Sequence, residues 1–88
     1  MNKVLINLYV PMLDNTFDIF IPVNEYVWKI NKLIVKSLSD LTFNTLDVDE
    51  EYIIINPKTG KIYDNNEIIL ETDIRNLTKL LLINNKKI

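Results

Sequence analysis

Any chemistry in this chain has to come from its carboxylates, hydroxyls and lysines, because the 88 residues contain no His and no Cys. The commonest general base and the usual soft metal ligands are therefore missing. Asp47, Asp49, Glu50 and Glu51 form the densest acidic group, and carboxylates one residue apart can converge on a divalent cation. The group lacks the Gly and the distal Glu of a calcium loop, and a solvated acidic loop accounts for it. Asp64 and Glu67 invite the same reading with less support. Ser37 and Ser39 are the available hydroxyl nucleophiles, but no base lies at a helpful spacing, and both read as ordinary helix residues. Lys29, Lys32 and Lys36 make a basic stripe that could meet phosphate, nucleic acid or an acidic partner. The formal net charge of −2 favours a solvated helix face instead, and no nucleic-acid partner is expected. No catalytic constellation, cofactor motif or metal set is expected from these residues.

The elements that would position such residues are organised around one helical pattern, Pro22 to Leu41. Asn24 is placed to cap it, and Glu25 suits the positive end of its dipole. Val27, Ile30, Ile34, Leu38 and Leu41 recur at spacings of three and four, which predicts one apolar stripe opposite the lysines. Trp28 and Val35 fall on a flank of that stripe, where the Trp is either a core-edge residue or a partly exposed anchor. Before the helix, Lys3 to Val10 alternates with Val4, Ile6, Leu8 and Val10 on one face. Pro11 to Asn15 turns the chain, and Thr16 to Ile21 alternates again with Phe17, Ile19 and Ile21 together, so the two runs predict a hairpin. After an irregular stretch from Thr42 to Glu51, Tyr52 to Asn56 reads as a third strand. Asn56 to Lys61 is a turn holding the chain's single Gly, Gly60, where a left-handed residue is wanted. Lys61 to Tyr63 reads as a brief fourth strand, Ile68 to Ile74 as a short core plug, and Thr78 to Ile83 as the last strand. The tail from Asn84 to Ile88 is expected to fray.

Charged residues at 25% and apolar residues at 48% describe one folded domain over residues 1–88. With no Cys there is no disulfide framework. The apolar N-terminus superficially suggests a leader, but it alternates as a half-buried strand does. No apolar run nears the roughly 20 residues that span a bilayer, so membrane insertion is not expected and the expected location is the cytoplasm. The order strand, strand, helix, strand, strand, strand lets the helix cross from the second strand to the third, leaving the first and last strands adjacent in the middle. That is an α+β β-grasp, a five-stranded mixed sheet with one main helix packed on one face.

The VLINLYVP and FDIFIP segments with a helix directly after, the PKTG turn and the closing ILETDIRNLTKLLLI resemble the YukD/EsaB family of ubiquitin-like proteins, accessory proteins of bacterial type VII secretion systems. The resemblance runs from Lys3 to Ile83. It implies a ubiquitin-like β-grasp fold, a cytosolic location and binding to secretion-machinery components or their regulators. Ubiquitin-like modifiers and sulfur carriers end in Gly-Gly, whereas this chain ends Asn84-Asn85-Lys86-Lys87-Ile88, so neither conjugation nor sulfur transfer is expected.

If Val4, Ile6, Leu8, Phe17, Ile19, Ile21, Leu80 and Leu82 face the helix, then Leu5, Tyr9, Phe20, Leu81 and Ile83 face away. Ile54 is placed with them, although Ile53 and Ile55 compete with it for the core. A sheet covered on one side normally keeps a polar outer face, so large apolar residues there mark a contact surface. Leu5, Tyr9, Phe20, Ile54, Leu81 and Ile83 are therefore the candidate protein-binding residues. The alternatives are a homodimeric structural domain using that face and a phosphate- or nucleic-acid-binding module using the helix lysines.

Overall fold

The computed structural model describes residues 2–43 and 45–87. The elements run β1 (Lys3–Val10), β2 (Asn15–Pro22), α1 (Val27–Leu41), β3 (Tyr52–Ile55) and β4 (Lys79–Asn84), with 3₁₀ turns at Pro11–Leu13, Ile69–Glu71 and Asn85–Lys87. The sheet has the order β2-β1-β4-β3. Its two central strands, β1 and β4, are parallel, and the outer pairs are antiparallel. The expected central pairing of first and last strands is present.

Among the described residues four strands stand where five were expected. Lys61 to Tyr63 makes an isolated bridge, Ile55 to Ile62, and not a strand. The tight turn explains the shortfall. Asn56 Oδ1 accepts the Lys58 N–H at 2.9 Å, the Gly60 N–H returns to the Asn56 carbonyl at 2.8 Å, and Gly60 takes φ +77°. Two backbone bonds follow, Asn56 N–H to Lys61 O and Tyr63 N–H to Ile54 O, before Tyr63 turns inward. Its buried ring joins the core and its hydroxyl donates to Asp73 at 2.6 Å. Burial, reinforced by that bond, pushes the Tyr63 phenol up to about 12.

The helix stripe is buried at Val27, Ile30, Ile34 and Leu38, each contributing about 1.5–3 kcal/mol by leaving water. Leu41, expected to complete the stripe, is 65% exposed, while Val35, expected at the edge, is buried. The buried face leans toward β3: Asn31 is interior and its Nδ2 donates to the Tyr52 carbonyl at 2.7 Å. Interior Ser39 likewise donates to the Leu46 carbonyl at 3.1 Å. Leu41 lies at the C-terminal end, where the chain leaves the sheet.

The helix also begins later than its pattern implies. Tyr26, not Asn24, is the capping residue, and no side chain caps it. The residues before it are held elsewhere, with Val23 N–H on the Asn2 carbonyl and the Glu25 carbonyl receiving Ile69 N–H. Distant backbone does the capping: the carbonyls of Glu67 and Asn65 accept the N–H groups of Val27 and Trp28 at 2.8 and 3.2 Å. That satisfies two donors a helix start leaves free. Glu67 is held in turn by Lys61 Nζ at 2.9 Å and by the Asp64 N–H at 2.8 Å. Asn84, placed in the tail by its sequence, is a buried residue at the end of β4, and Asn85–Lys87 form a turn; Ile88 lies outside the described residues.

Lys61, and then the Asp64 N–H, hold the Glu67 carboxyl below the usual 4.5. A carboxyl lowered on folding stabilises the fold fully above its ordinary value, and that stability is lost as pH falls through the lower folded value. Glu67→Gln should therefore lower the melting temperature at pH 7, with the gap to the parent closing below about pH 4. Asn24→Ala should change stability by less than about 0.5 kcal/mol, as thermal melts will show.

Candidate functional site

Strand register fixes which outer-face residues meet. Tyr9, Leu81 and Ile55 stand side by side across β1, β4 and β3, and Ile83 pairs with Ile53 two residues along. These five make one apolar patch. At the other end of the sheet Leu5 pairs with Phe20, and Leu77 donates its N–H to the Leu5 carbonyl at 2.7 Å. A polar row, Asp18, Asn7 and Lys79, separates the two patches, with Asn7 Nδ2 donating to Asp18 Oδ1 at 2.9 Å.

Of the sequence candidates, Tyr9, Leu81 and Ile83 come together, and Leu5 and Phe20 form a separate pair. Ile54 does not belong. It is 2% exposed, pairs with Leu82 in the core, and leaves Ile53 and Ile55 on the outer face. Three consecutive isoleucines give no alternation to read, so the register is set by partners: Tyr52 O is held by Asn31 and Ile53 faces Ile83. Ile53 and Ile55 are site residues that sequence reasoning missed.

Leu77 was missed too, and no periodic signal marks it. It is 71% exposed and sits at φ +68°, a left-handed conformation that costs a leucine about 1–2 kcal/mol. Asn76 explains the conformation: its Oδ1 accepts the Leu5 N–H at 2.8 Å, the bond that ties the entry to β4 onto β1. Phe20 is 63% exposed. Tyr9 is half-buried, and its hydroxyl donates to Asp14 at 2.9 Å. That bond to a carboxylate raises the phenol above its ordinary value.

The other candidate chemistries meet ordinary structure. Asp47 Oδ1 accepts the Asp49 N–H at 2.9 Å, a local turn bond, and among the described residues no group of three or more His, Cys, Asp or Glu could hold a metal ion. Lys29, Lys32 and Lys36 are exposed. Lys29 meets Glu25 at 3.5 Å and Lys32 lies 5.9 Å from the Trp28 ring centre. Trp28 is itself exposed, outside the core. Among the described residues no helix is long and apolar enough to cross a membrane.

The parallel central pair, the crossover helix and the short capping turn define a ubiquitin-like β-grasp domain. Solved structures share it. The ubiquitin-like domain of the Mycobacterium tuberculosis type VII secretion system protein EccD1 superposes with a TM-score of 0.74 at 12% identity, covering 94% of this chain and 99% of that one. The UBL domain of Plasmodium falciparum Dsk2 gives 0.70 at 16%, covering 93% and 97%. The N-terminal ubiquitin-like domain of the 4931431F19Rik protein gives 0.71 at 20%, covering 93% and 74%. At such identities the likeness is one of fold. No protein-family model and no curated protein matches the chain.

The register separates core from surface along β3. Ile54→Ala should cost about 2–4 kcal/mol in chemical denaturation, whereas Ile53→Ala and Ile55→Ala should each cost about 1 kcal/mol or less.

Proposed function

We propose that this protein is a non-catalytic ubiquitin-like adaptor of a bacterial type VII secretion system, acting in the cytoplasm by capturing a protein partner on the outer face of its sheet. The observation that carries this reading is the five-residue patch of Tyr9, Leu81, Ile55, Ile83 and Ile53. Such residues on the side of a sheet away from its helix gain from being covered. Leu81 sits at the middle of the patch on a central strand, the position where binding energy concentrates, and Tyr9 supplies a rigid aromatic anchor beside it. Leu5 and Phe20 form an outlying contact beyond the polar row. The YukD/EsaB resemblance supports the secretion setting, and the fold shared with the mycobacterial secretion domain agrees with it.

The test is binding of the purified domain to the cytosolic part of a type VII membrane ATPase and to small WxG-type substrates, measured by calorimetry. Leu81→Asp should keep the native circular dichroism spectrum and abolish binding, while Phe20→Asp should weaken it less. If Leu81→Asp unfolds the domain, or binds as the parent does, the sheet face is not the docking surface.

A further inference from the structure

The two edges of the sheet are finished differently. Along β3, part of the edge is covered: Tyr52 O is taken by Asn31, Ile54 O by Tyr63 and Asn56 N–H by Lys61, and residues 61–63 lie alongside the strand. Along β2, the other edge, no strand among the described residues stands beyond. The Val23 N–H bond to the Asn2 carbonyl fixes the alternation of the β1–β2 ladder. Ile21, Ile19 and Phe17 bond inward to β1, and Pro22, Phe20, Asp18 and Thr16 turn their backbone groups outward. Pro22 has no N–H, and the Thr16 N–H goes to Asn15 Oδ1 at 2.9 Å. Asp18 and Phe20 thus hold the free edge donors, closed off at both ends.

We propose that β2 pairs antiparallel with β2 of a second copy of this chain, about a twofold axis between the two Phe20 residues. Three registers bring the free donors within reach, and charge selects among them. Centring on Asp18 sets two carboxylates directly opposite, and centring on Ile19 sets them on a diagonal; both are unfavourable. Centring on Phe20 separates them and uses every free donor: the two Phe20 residues exchange N–H and carbonyl bonds, and each Asp18 N–H reaches the carbonyl of Pro22 in the other copy. Phe20 then meets Phe20, a favourable cross-strand aromatic pair. The same register is complementary in charge. Lys3 pairs with Pro22 on the neighbouring strand, so Asp18 of one copy faces Lys3 of the other across a small proline that leaves the lysine room to reach. An apolar row, Leu5–Phe20–Phe20–Leu5, is flanked on each side by one Asp18–Lys3 pair. On the helix side Ile19 meets Ile21 of the second copy beside the groove that Leu33 and Ile34 share with β2. Four backbone bonds and one aromatic pair cover less than the roughly 1,200 Å² of a stable complex, so the dimer is weak, in the high micromolar range.

Sedimentation equilibrium up to millimolar protein tests this. The parent should show a reversible monomer–dimer equilibrium, and Lys3→Glu should weaken it about tenfold through two lost charge pairs. Adding Asp18→Lys to Lys3→Glu should restore it, while Leu81→Asp should leave it unchanged, which separates this edge from the proposed docking face. With no native Cys, Phe20→Cys should crosslink to itself on oxidation, and Ile19→Cys should not. A parent that stays monomeric throughout, a charge swap that does not restore pairing, or crosslinking through Ile19→Cys in preference to Phe20→Cys overturns the proposal.

Discussion

Everything else in this molecule depends on the parallel pairing of β1 with β4, which joins Asn7, Leu8 and Tyr9 to Lys79, Leu80 and Leu81 across almost the whole chain. A parallel pair needs a crossover, and α1 with the segment after it supplies one. Because side chains alternate, that one register sends Leu8 and Leu80 into the core and Tyr9 and Leu81 to the opposite face. A slip of one residue would exchange the two sets. The core and the candidate docking face are therefore two consequences of the same backbone pairing.

The segment between β3 and β4 contributes more than its irregular appearance suggests. Tyr63, Ile69 and Ile74 fill the core, its backbone carbonyls cap the start of α1, and residues 61–63 close the β3 edge. Thr72 holds the plug together, its hydroxyl donating to Ile69 O at 2.7 Å and accepting the Ile74 N–H at 3.1 Å. The buried polar groups are partnered: among the described residues no buried side-chain nitrogen or oxygen lacks a hydrogen bond. That matters in a domain without disulfides, where a single orphaned buried group costs about 1–3 kcal/mol.

Polar and apolar residues divide the surface into regions, and only Leu5 and Phe20 belong to both the docking face and the β2 edge. The acidic residues around Asp47 and the helix lysines engage in local bonds and solvent. The outer sheet face carries two apolar patches with a polar row between them, and the open β2 edge borders the smaller patch. A partner seated over Leu81 and a second copy aligned along β2 would approach from different directions, one onto the sheet and the other in its plane.

Periodicity determined the hairpin, the helix and the outward placement of Tyr9, Phe20 and Leu81, because each follows from a two- or 3.6-residue repeat longer than a few residues, and the order of those elements determined the central position of the first and last strands. Where the repeat was short or absent, the chain's own contacts decided. Ile53-Ile54-Ile55 offers no alternation, so Asn31 and Ile83 set its register. Asn24 has the right side chain for a cap, but Val23 and Glu25 are already bonded to distant backbone, and the helix starts two residues later, with Tyr26 at the cap position. Leu77 carries no pattern at all, and its exposed left-handed conformation comes from Asn76 being drawn to Leu5. Local spacing specifies which face a residue takes within an element, whereas long-range hydrogen bonds specify where the element starts, what it pairs with and which neighbours complete a surface.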